Sequence, residues 1–381
     1  MKIYFIGQKG IPGKSGGVEK HVEELAVRLA EAGHEIFAYT RPNYTRPEIK
    51  KFKGVNLISL PSISRKNFDA ISHTFRACLD VSRRDADIIH FHSIGPSSLI
   101  WLVRILKPGI PIVATFHTRC YQHKKWGMFA RLYLKIGELA ACVLPDATIA
   151  VSQSLKNYAL KKYGKKYGSC ISYIPNGVSL GEVAGAEKIS EWGLEKDNYI
   201  LTVSRLVRHK GIHYLLEAYK KIKTDKKLVI VGESSFTDNY VSELKKQAAE
   251  DKNIIFTGAQ NGEKLKELFA NSYLFIQPSE SEGLSIALLE AMAYGRCALV
   301  SDIPENKEAV GEAGFTFINK NAADLADKMN FLLTNPDLTV KTGQAARIRA
   351  EKYYNWKAIT EEIIKVYEQA SLKRKEKKQR F

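Results

Sequence analysis

The stretch Glu282-Gly-Leu-Ser-Ile-Ala-Leu-Leu-Glu290 sets two carboxylates eight residues apart across a glycine turn and the start of a helix. Ahead of it, Leu274-Phe-Ile-Gln-Pro-Ser279 has the apolar content of a short buried strand. Ser285 stands where it can cap a helix that ends before Gly295, so the segment reads strand, turn, helix. The backbone N–H groups of Gly283, Leu284 and Ser285 then lie at the positive end of that helix, where a phosphate docks. Glu282 has no positive partner nearby in sequence and is left to accept hydrogen bonds from hydroxyls. Along a helix, eight residues amount to about 80° of rotation. That phase turns Glu290 toward the side of the helix start, deeper in, where it can hold a second polyol such as ribose. Taken alone, the same spacing also fits an amphipathic helix with two solvated acids.

Outward from this segment, short β-rich runs alternate with stretches of helical period along the whole chain, the pattern of parallel sheets covered by helices on both faces. The runs are KIYFIG, EIFAYT, VNLISL, DIIHFH, PIVATFH, ATIAVS and SYIPNG in the first half, then YILTVS, KLVIVG, NIIFTG, LFIQPS, ALVSD and GFTFIN. A helix after the first run carries Val18, Val22, Leu25, Ala26 and Leu29 on one stripe. GVSLGEVAGAE, rich in glycine and small residues, is expected to link the two halves. A chain of 381 residues, 45% hydrophobic and 26% charged, is globular and too long for one ordinary core. The expected architecture is α/β, with one Rossmann-like domain over residues 1–178, a second over 179–355, and a terminal helix with a basic tail over 356–381.

Five cysteines, Cys78, Cys120, Cys142, Cys170 and Cys297, form no C-x-x-C and fit reduced thiols. No segment approaches eighteen uninterrupted apolar residues and the N-terminal apolar run is brief, so a cytoplasmic protein is expected. The net charge of +17 is uneven: residues 1–178 carry 27 Lys+Arg against 12 Asp+Glu, whereas residues 179–381 carry 31 against 29. The partner of the basic surplus therefore belongs to the first half. No nucleic-acid module accompanies it, and no nucleic-acid partner is expected. An anionic membrane surface or a phosphorylated lipid fits the charge, as do ordinary solvated lysines. Arg119, Lys124, Lys125, Arg131 and Lys135 interleave with Tyr121, Trp126, Met128 and Phe129. That mixture suits a segment dipping apolar groups among lipid headgroups, or a helix that turns them inward.

Other constellations sit at the ends of strands. Gly7 to Gly17 holds five glycines in eleven residues, which lets a backbone approach a ligand closely, and Gly16-Gly17 lies where a helix starts. It is not the dinucleotide fingerprint: G-x-G-x-x-G is missing and the second strand ends in Thr40-Arg41 rather than an acid. In Ser204-Arg205-Leu-Val-Arg208-His-Lys210-Gly211, Arg205 and Lys210 can converge on a diphosphate, one as a fork and the other as a point charge, with Arg208 beside them. His117 ends PIVATFHT at the strand edge where open α/β sheets bind ligands. His90 and His92 share one strand face with no third metal ligand evident, so no metal site is expected. Asp85-Ala-Asp87 follows Arg83-Arg84 rather than a strand and is read as a chance acidic pair.

With PSESEG ahead and EAMAYG behind, the E-x7-E segment resembles the signature of retaining family 4 glycosyltransferases of the GT-B fold, and SRL…KG resembles their pyrophosphate site. The resemblance spans nearly the whole chain. It implies two Rossmann-like domains facing across a cleft, with the C-terminal helix crossing back to the N-terminal domain. It further implies retaining transfer of a sugar from a nucleotide-diphosphate sugar to a glycan or lipid-linked acceptor, in surface polysaccharide synthesis, with no cofactor and no metal. Such a protein is expected in the cytoplasm, peripheral on the inner face of the plasma membrane. Catalytic roles fall by position on His117, Arg205, Lys210 and Glu282, and donor binding on Gly16, Gly17, Gly283, Leu284, Ser285 and Glu290. In that family His117 meets the donor hexose, Glu282 lies against the donor sugar, and Glu290 takes the ribose hydroxyls. Pro175-Asn-Gly-Val178 resembles the family hinge, but Ser179 replaces its Asp and removes one expected polar contact. An NAD(P)-dependent oxidoreductase is disfavoured by the missing fingerprint. A non-catalytic sugar-nucleotide or membrane-binding protein of this fold is disfavoured by the presence of Arg205, Lys210, Glu282 and Glu290.

Overall fold

The computed structural model describes residues 1–14, 16–63, 65, 68–122, 127–164, 167, 170–181, 185–235 and 237–379, with the backbone alone at 122 and 377–379. The chain divides into two compact units, Met1–Asn176 with Trp356–Phe381, and Gly177–Asn355.

In the first unit β1 (Lys2–Ile6) is followed by α1 (Gly17–Glu31), β2 (Glu35–Thr40), β3 (Lys51–Phe52), β4 (Val55–Ser59), α2 (Asp69–Ser82) and β5 (Ile88–His92). Then come α3 (Ile94–Ser97), α4 (Ile100–Leu106), β6 (Ile112–Phe116), α5 (Met128–Val143), β7 (Ala147–Ala150), α6 (Gln153–Ala159) and β8 (Ile171–Tyr173). The sheet runs β3-β4-β2-β1-β5-β6-β7-β8 and is parallel except where β3 joins β4. Every residue of β5 and β6 is buried, as expected for strands covered on both faces, and this is why they read as continuous apolar runs rather than alternating ones. β3 is a two-residue edge, too short to show any period in the sequence.

The second unit alternates β9 (Tyr199–Val203), α7 (Ile212–Tyr219), β10 (Lys227–Val231), α8 (Asp238–Ala248), β11 (Ile254–Gly258), α9 (Gly262–Asn271) and β12 (Leu274–Gln277). It continues with α10 (Ile286–Ala293), β13 (Cys297–Ser301), α11 (Pro304–Val310), β14 (Phe315–Phe317), α12 (Ala322–Leu333) and α13 (Pro336–Tyr353). Its sheet, β11-β10-β9-β12-β13-β14, is parallel throughout. The final helix, α14 (Trp356–Gln379), returns to the first unit, where Trp356, Ile359, Ile363, Val366, Tyr367 and Ala370 join the core built on Ile3, Phe5, Val22 and Leu25.

Strand order fixes where ligands can bind. In the first unit the chain winds outward from β1 through β2 and β4, then restarts on the other side of β1 with β5. In the second it winds from β9 to β11 and restarts beside β9 with β12. At each reversal the connections after the two neighbouring strands leave in opposite directions and open a crevice at their carboxyl ends. The four loops so singled out follow β1, β5, β9 and β12.

Candidate functional site

In the second unit the reversal joins the two most informative segments of the sequence. The loop after β9 ends in a 3-10 turn, Arg208–Lys210, and then Gly211 at φ 72°. A Cβ on Gly211 would stand 1.9 Å from the Pro278 carbonyl oxygen, so only glycine lets this loop lie against the one after β12. The Glu280 N–H donates to the His209 carbonyl at 2.8 Å and locks the contact. As a result Lys210 Nζ donates to Glu282 Oε1 at 2.5 Å, with the two side chains only 14% and 10% exposed. This corrects the expectation that Glu282 is left to accept only from hydroxyls: it has no positive partner nearby in sequence, but the fold brings one from 72 residues away.

A second correction concerns helical phase. The helix starts at Ile286 and is capped by Ser285, whose Oγ accepts from the Leu288 N–H, so Glu282 through Ser285 lie outside it. The rotation of about 80° therefore does not relate Glu282 to Glu290. Glu290 is the fifth residue of α10 and half-buried. Arg205 is half-buried, and its guanidinium has no hydrogen-bond or ion-pair partner among the described residues. Arg208 turns away, pairing with Glu243 at 3.4 Å and lying over the Tyr240 ring. The loop bearing Gly283, Leu284 and Ser285 is held by a buried network that the sequence did not suggest. Ser301 Oγ donates to the Ser279 carbonyl, Asn306 Nδ2 donates to Ser301, and Gln277 Nε2 donates to Asn306 Oδ1. Its members come from the ends of β12 and β13 and from α11, and the links across from β12 join residues too far apart in sequence to be paired by spacing.

In the first unit the glycine loop after β1 folds back on the helix it precedes. Gly16 is the N-cap of α1 and Gly17 its first residue. Glu23 Oε2 accepts the Gly13 N–H at 2.6 Å, and Glu19 Oε1 accepts the Lys9 N–H at 3.4 Å. Gly7, at φ 120°, would put a Cβ 2.3 Å from the His92 carbonyl, which draws the loop onto the end of β5. There His92 Nδ1 meets His117 Nε2 at 3.3 Å, and His21, from the buried stripe of α1, faces both rings. Burial holds all three imidazoles neutral, lowering His21 to about 4 and His92 and His117 well below the usual value. His90 is engaged at both nitrogens, by Tyr367 Oη and Thr115 Oγ1. The sequence paired His92 with His90 and saw no third ligand; the structure instead sets His92 beside His21 and His117. Asp85 and Asp87 both bind Lys2, at the opposite edge of the sheet from the strand carboxyl ends.

One surface of the first unit is also distinctive. Along α5, Met128 (77% exposed), Phe129 (83%), Leu132 and Ile136 face solvent together with Arg131 and Lys135. Leu134, Gly137, Glu138, Ala140, Ala141 and Cys142 are the residues turned inward, so Met128 and Phe129 do not pack into the core. Trp101, Ile105 and Leu106 of α4 are exposed as well. Lys124, Lys125 and Trp126 lie outside the described residues. No helix among the described residues is long and apolar enough to cross a membrane.

Comparison with known proteins agrees with this geometry. The family described as Glycosyltransferase Family 4 matches residues 15–182, and the family described as Glycosyl transferases group 1 matches residues 186–349. A phosphatidyl-myo-inositol mannosyltransferase of Mycolicibacterium smegmatis is 26% identical over 93% of this chain and 91% of its own. Two solved structures share the fold. A sucrose-phosphate synthase of Thermosynechococcus elongatus has TM-score 0.82 and 23% identity, over 97% of this chain and 98% of that one. Anabaena HepE in complex with UDP-glucose has TM-score 0.78 and 19% identity, over 96% and 99%. The chain is a glycosyltransferase of this group 1/family 4 type, with the GT-B fold.

Proposed function

We propose that this glycosyltransferase moves a sugar, with retention and without a metal ion, from a nucleotide-diphosphate sugar bound by its second unit to a lipid-linked or glycan acceptor bound by its first. The observation that carries the donor assignment is the meeting of the β9 and β12 loops at the strand reversal, with an Arg205 unpaired among the described residues and a Lys210–Glu282 pair. As the glycosyl bond breaks, negative charge grows on the departing diphosphate. Arg205 offers a two-pronged donor for it, and Lys210 keeps two N–H bonds beyond the one given to Glu282. The helix start at Ser285 adds the partial positive charge of its backbone N–H groups. Glu282, held by Lys210, is then fixed to accept from hydroxyls of the transferred sugar, and Glu290 from the ribose. His117 keeps the role against the donor hexose that the resemblance implies.

A lipid-linked acceptor is supported by the exposed apolar and basic face of α5 and by the similarity to a phosphatidyl-myo-inositol mannosyltransferase. Work on the cytoplasmic face of a membrane follows from that acceptor. The test is incubation of the chain with UDP-, GDP- and dTDP-hexoses and release of free nucleotide as the readout. One donor is expected to turn over, with the anomeric configuration preserved in the product by NMR, and added EDTA is not expected to lower the rate. No turnover of any donor by a folded chain, or a rate abolished by EDTA and restored by Mg²⁺, would overturn the reading.

A further inference from the structure

Three imidazoles converge where the loop after β1 meets the ends of β5 and β6. His21 comes from α1, His92 ends β5 and His117 follows β6, and one ring nitrogen from each lies within 4.8 Å of the other two. All three side chains are buried, at 2%, 0% and 6% exposure. The ring centroids stand 5.0 Å apart for His21 and His117, 5.6 Å for His92 and His117, and 5.8 Å for His21 and His92. A tetrahedral ion bound at ~2.0 Å by each nitrogen keeps neighbouring ligand nitrogens roughly 3.3 Å apart. His92 Nδ1 and His117 Nε2 already stand 3.3 Å apart. A rotation that carries His21 inward by roughly 1 Å completes the set.

Hydrogen bonding points the same way. Both nitrogens of His21 are buried with no hydrogen-bond partner among the described residues, and one of them is what the ion meets; the Nε2 of His92, also without a partner, is not the nitrogen that faces His117. Leaving a buried polar atom unmet costs about 1–3 kcal/mol, so the fold has assembled a demand that a bound species can meet. His90 lies only 4.1 Å from His92 by ring centroids but is not available, because both its nitrogens are engaged. Trp356, whose ring is 5.5 Å from that of His21, walls the cluster and limits competing water.

We propose that His21, His92 and His117 bind one divalent transition-metal ion, zinc being the best match to three neutral imidazoles, with the fourth position left to water. The hydrogen bond between His92 and His117 gives way to two metal–nitrogen bonds as the ion enters. The ion is no part of the transfer proposed above. By taking the ring of His117 it stands against that chemistry rather than in it, and its binding is measured without any sugar or nucleotide.

The experiment uses the full chain, free of affinity tags and stripped with chelator, titrated with Co²⁺ and then Zn²⁺. One Co²⁺ per chain is expected, with the visible absorption of a tetrahedral nitrogen site, displaced by Zn²⁺. X-ray absorption of the zinc form should show three imidazole nitrogens at about 2.0 Å. His21→Ala and His92→Ala are each expected to weaken binding by at least tenfold, while Cys170→Ser, at an exposed thiol, leaves it unchanged. Binding that survives in both folded histidine variants, or that Cys170→Ser abolishes, overturns the site. Should either histidine variant fail to fold, the absorption spectrum of the unsubstituted chain decides: no imidazole shell, or no bound metal, overturns it equally.

Discussion

At the scale of single residues, the two cations after β9 differ in what they already do. Lys210 is held by Glu282 in a nearly buried pair, whereas Arg205 is unpaired among the described residues. Lys210→Ala leaves the Glu282 carboxylate without its cation, and is expected to lower folding stability by up to about 3 kcal/mol as well as nucleotide affinity. Arg205→Ala breaks no side-chain hydrogen bond or ion pair among the described residues and should stay within about 0.5 kcal/mol of the parent in urea denaturation. Its nucleoside diphosphate affinity should nonetheless fall roughly tenfold to a hundredfold, the worth of one charge-assisted bond. Calorimetry showing unaltered affinity in Arg205→Ala would remove that residue from the diphosphate site. The two acids separate in the same assay. Glu290→Gln should weaken free nucleotide by a similar factor if it accepts ribose hydroxyls, while Glu282→Gln should spare it, since Glu282 is assigned to the sugar. Parent-like binding by Glu290→Gln would remove Glu290 from the ribose, and weakened binding by Glu282→Gln would undo the assignment of Glu282 to the sugar.

At the scale of elements, α5 leaves Met128, Phe129, Leu132 and Ile136 exposed while Leu134, Gly137, Glu138, Ala140, Ala141 and Cys142 turn inward, unlike a surface helix that only packs on a core. The expected partner is an anionic lipid surface, into which Phe129, Leu132 and Ile136 can dip while Arg131 and Lys135 reach headgroups. Leu132→Glu with Ile136→Glu should leave the melting temperature nearly unchanged and abolish flotation with anionic vesicles at low salt. Flotation equal to that of the parent would return the face to some other use. Legibility in the sequence divides along similar lines. Each of the thirteen β-rich runs overlaps a strand, because an apolar run ending in glycine or a polar turn is a local signal. The order of the strands is not local. Nothing near Lys210 announces Glu282, and it is the close approach of Gly211 to Pro278 that joins them. His21 was legible in part: it lies on the buried stripe of α1 beside Val22, where an ionisable ring is out of place. The inward or outward turn of α5 could not be read, because apolar residues occur all around it and only packing chooses the face.

At the scale of the whole molecule, the terminal helix changes which unit owns the charge and which owns the core. With α14 assigned to it, the first unit carries 35 Lys+Arg against 16 Asp+Glu, or +19, while Gly177–Asn355 carries 23 against 25, or −2. On the proposed donor assignment, the second unit would therefore attract an anionic nucleotide only through the local field of Arg205, Lys210 and the α10 start. The first has a general attraction for anionic surfaces, screened within a Debye length of about 8 Å at physiological salt. The same helix supplies Trp356, Ile359, Ile363, Val366 and Tyr367 to the core of the first unit, and Tyr367 Oη to His90. Five large buried side chains at about 1.5–3 kcal/mol each amount to roughly 10 kcal/mol, comparable with the entire stability of a domain. A chain ending at Asn355 is thus expected to lose the folded first unit, whereas Gly177–Asn355 alone, with its own core, should stay folded and bind nucleoside diphosphate. Tyr367→Phe separates packing from polarity, because it removes only the hydrogen bond and should cost about 1 kcal/mol. Thermal melts followed by circular dichroism, with nucleotide calorimetry on the same samples, make the comparison. A first unit that melts cooperatively in the chain ending at Asn355 would mean that α14 decorates that core rather than completing it.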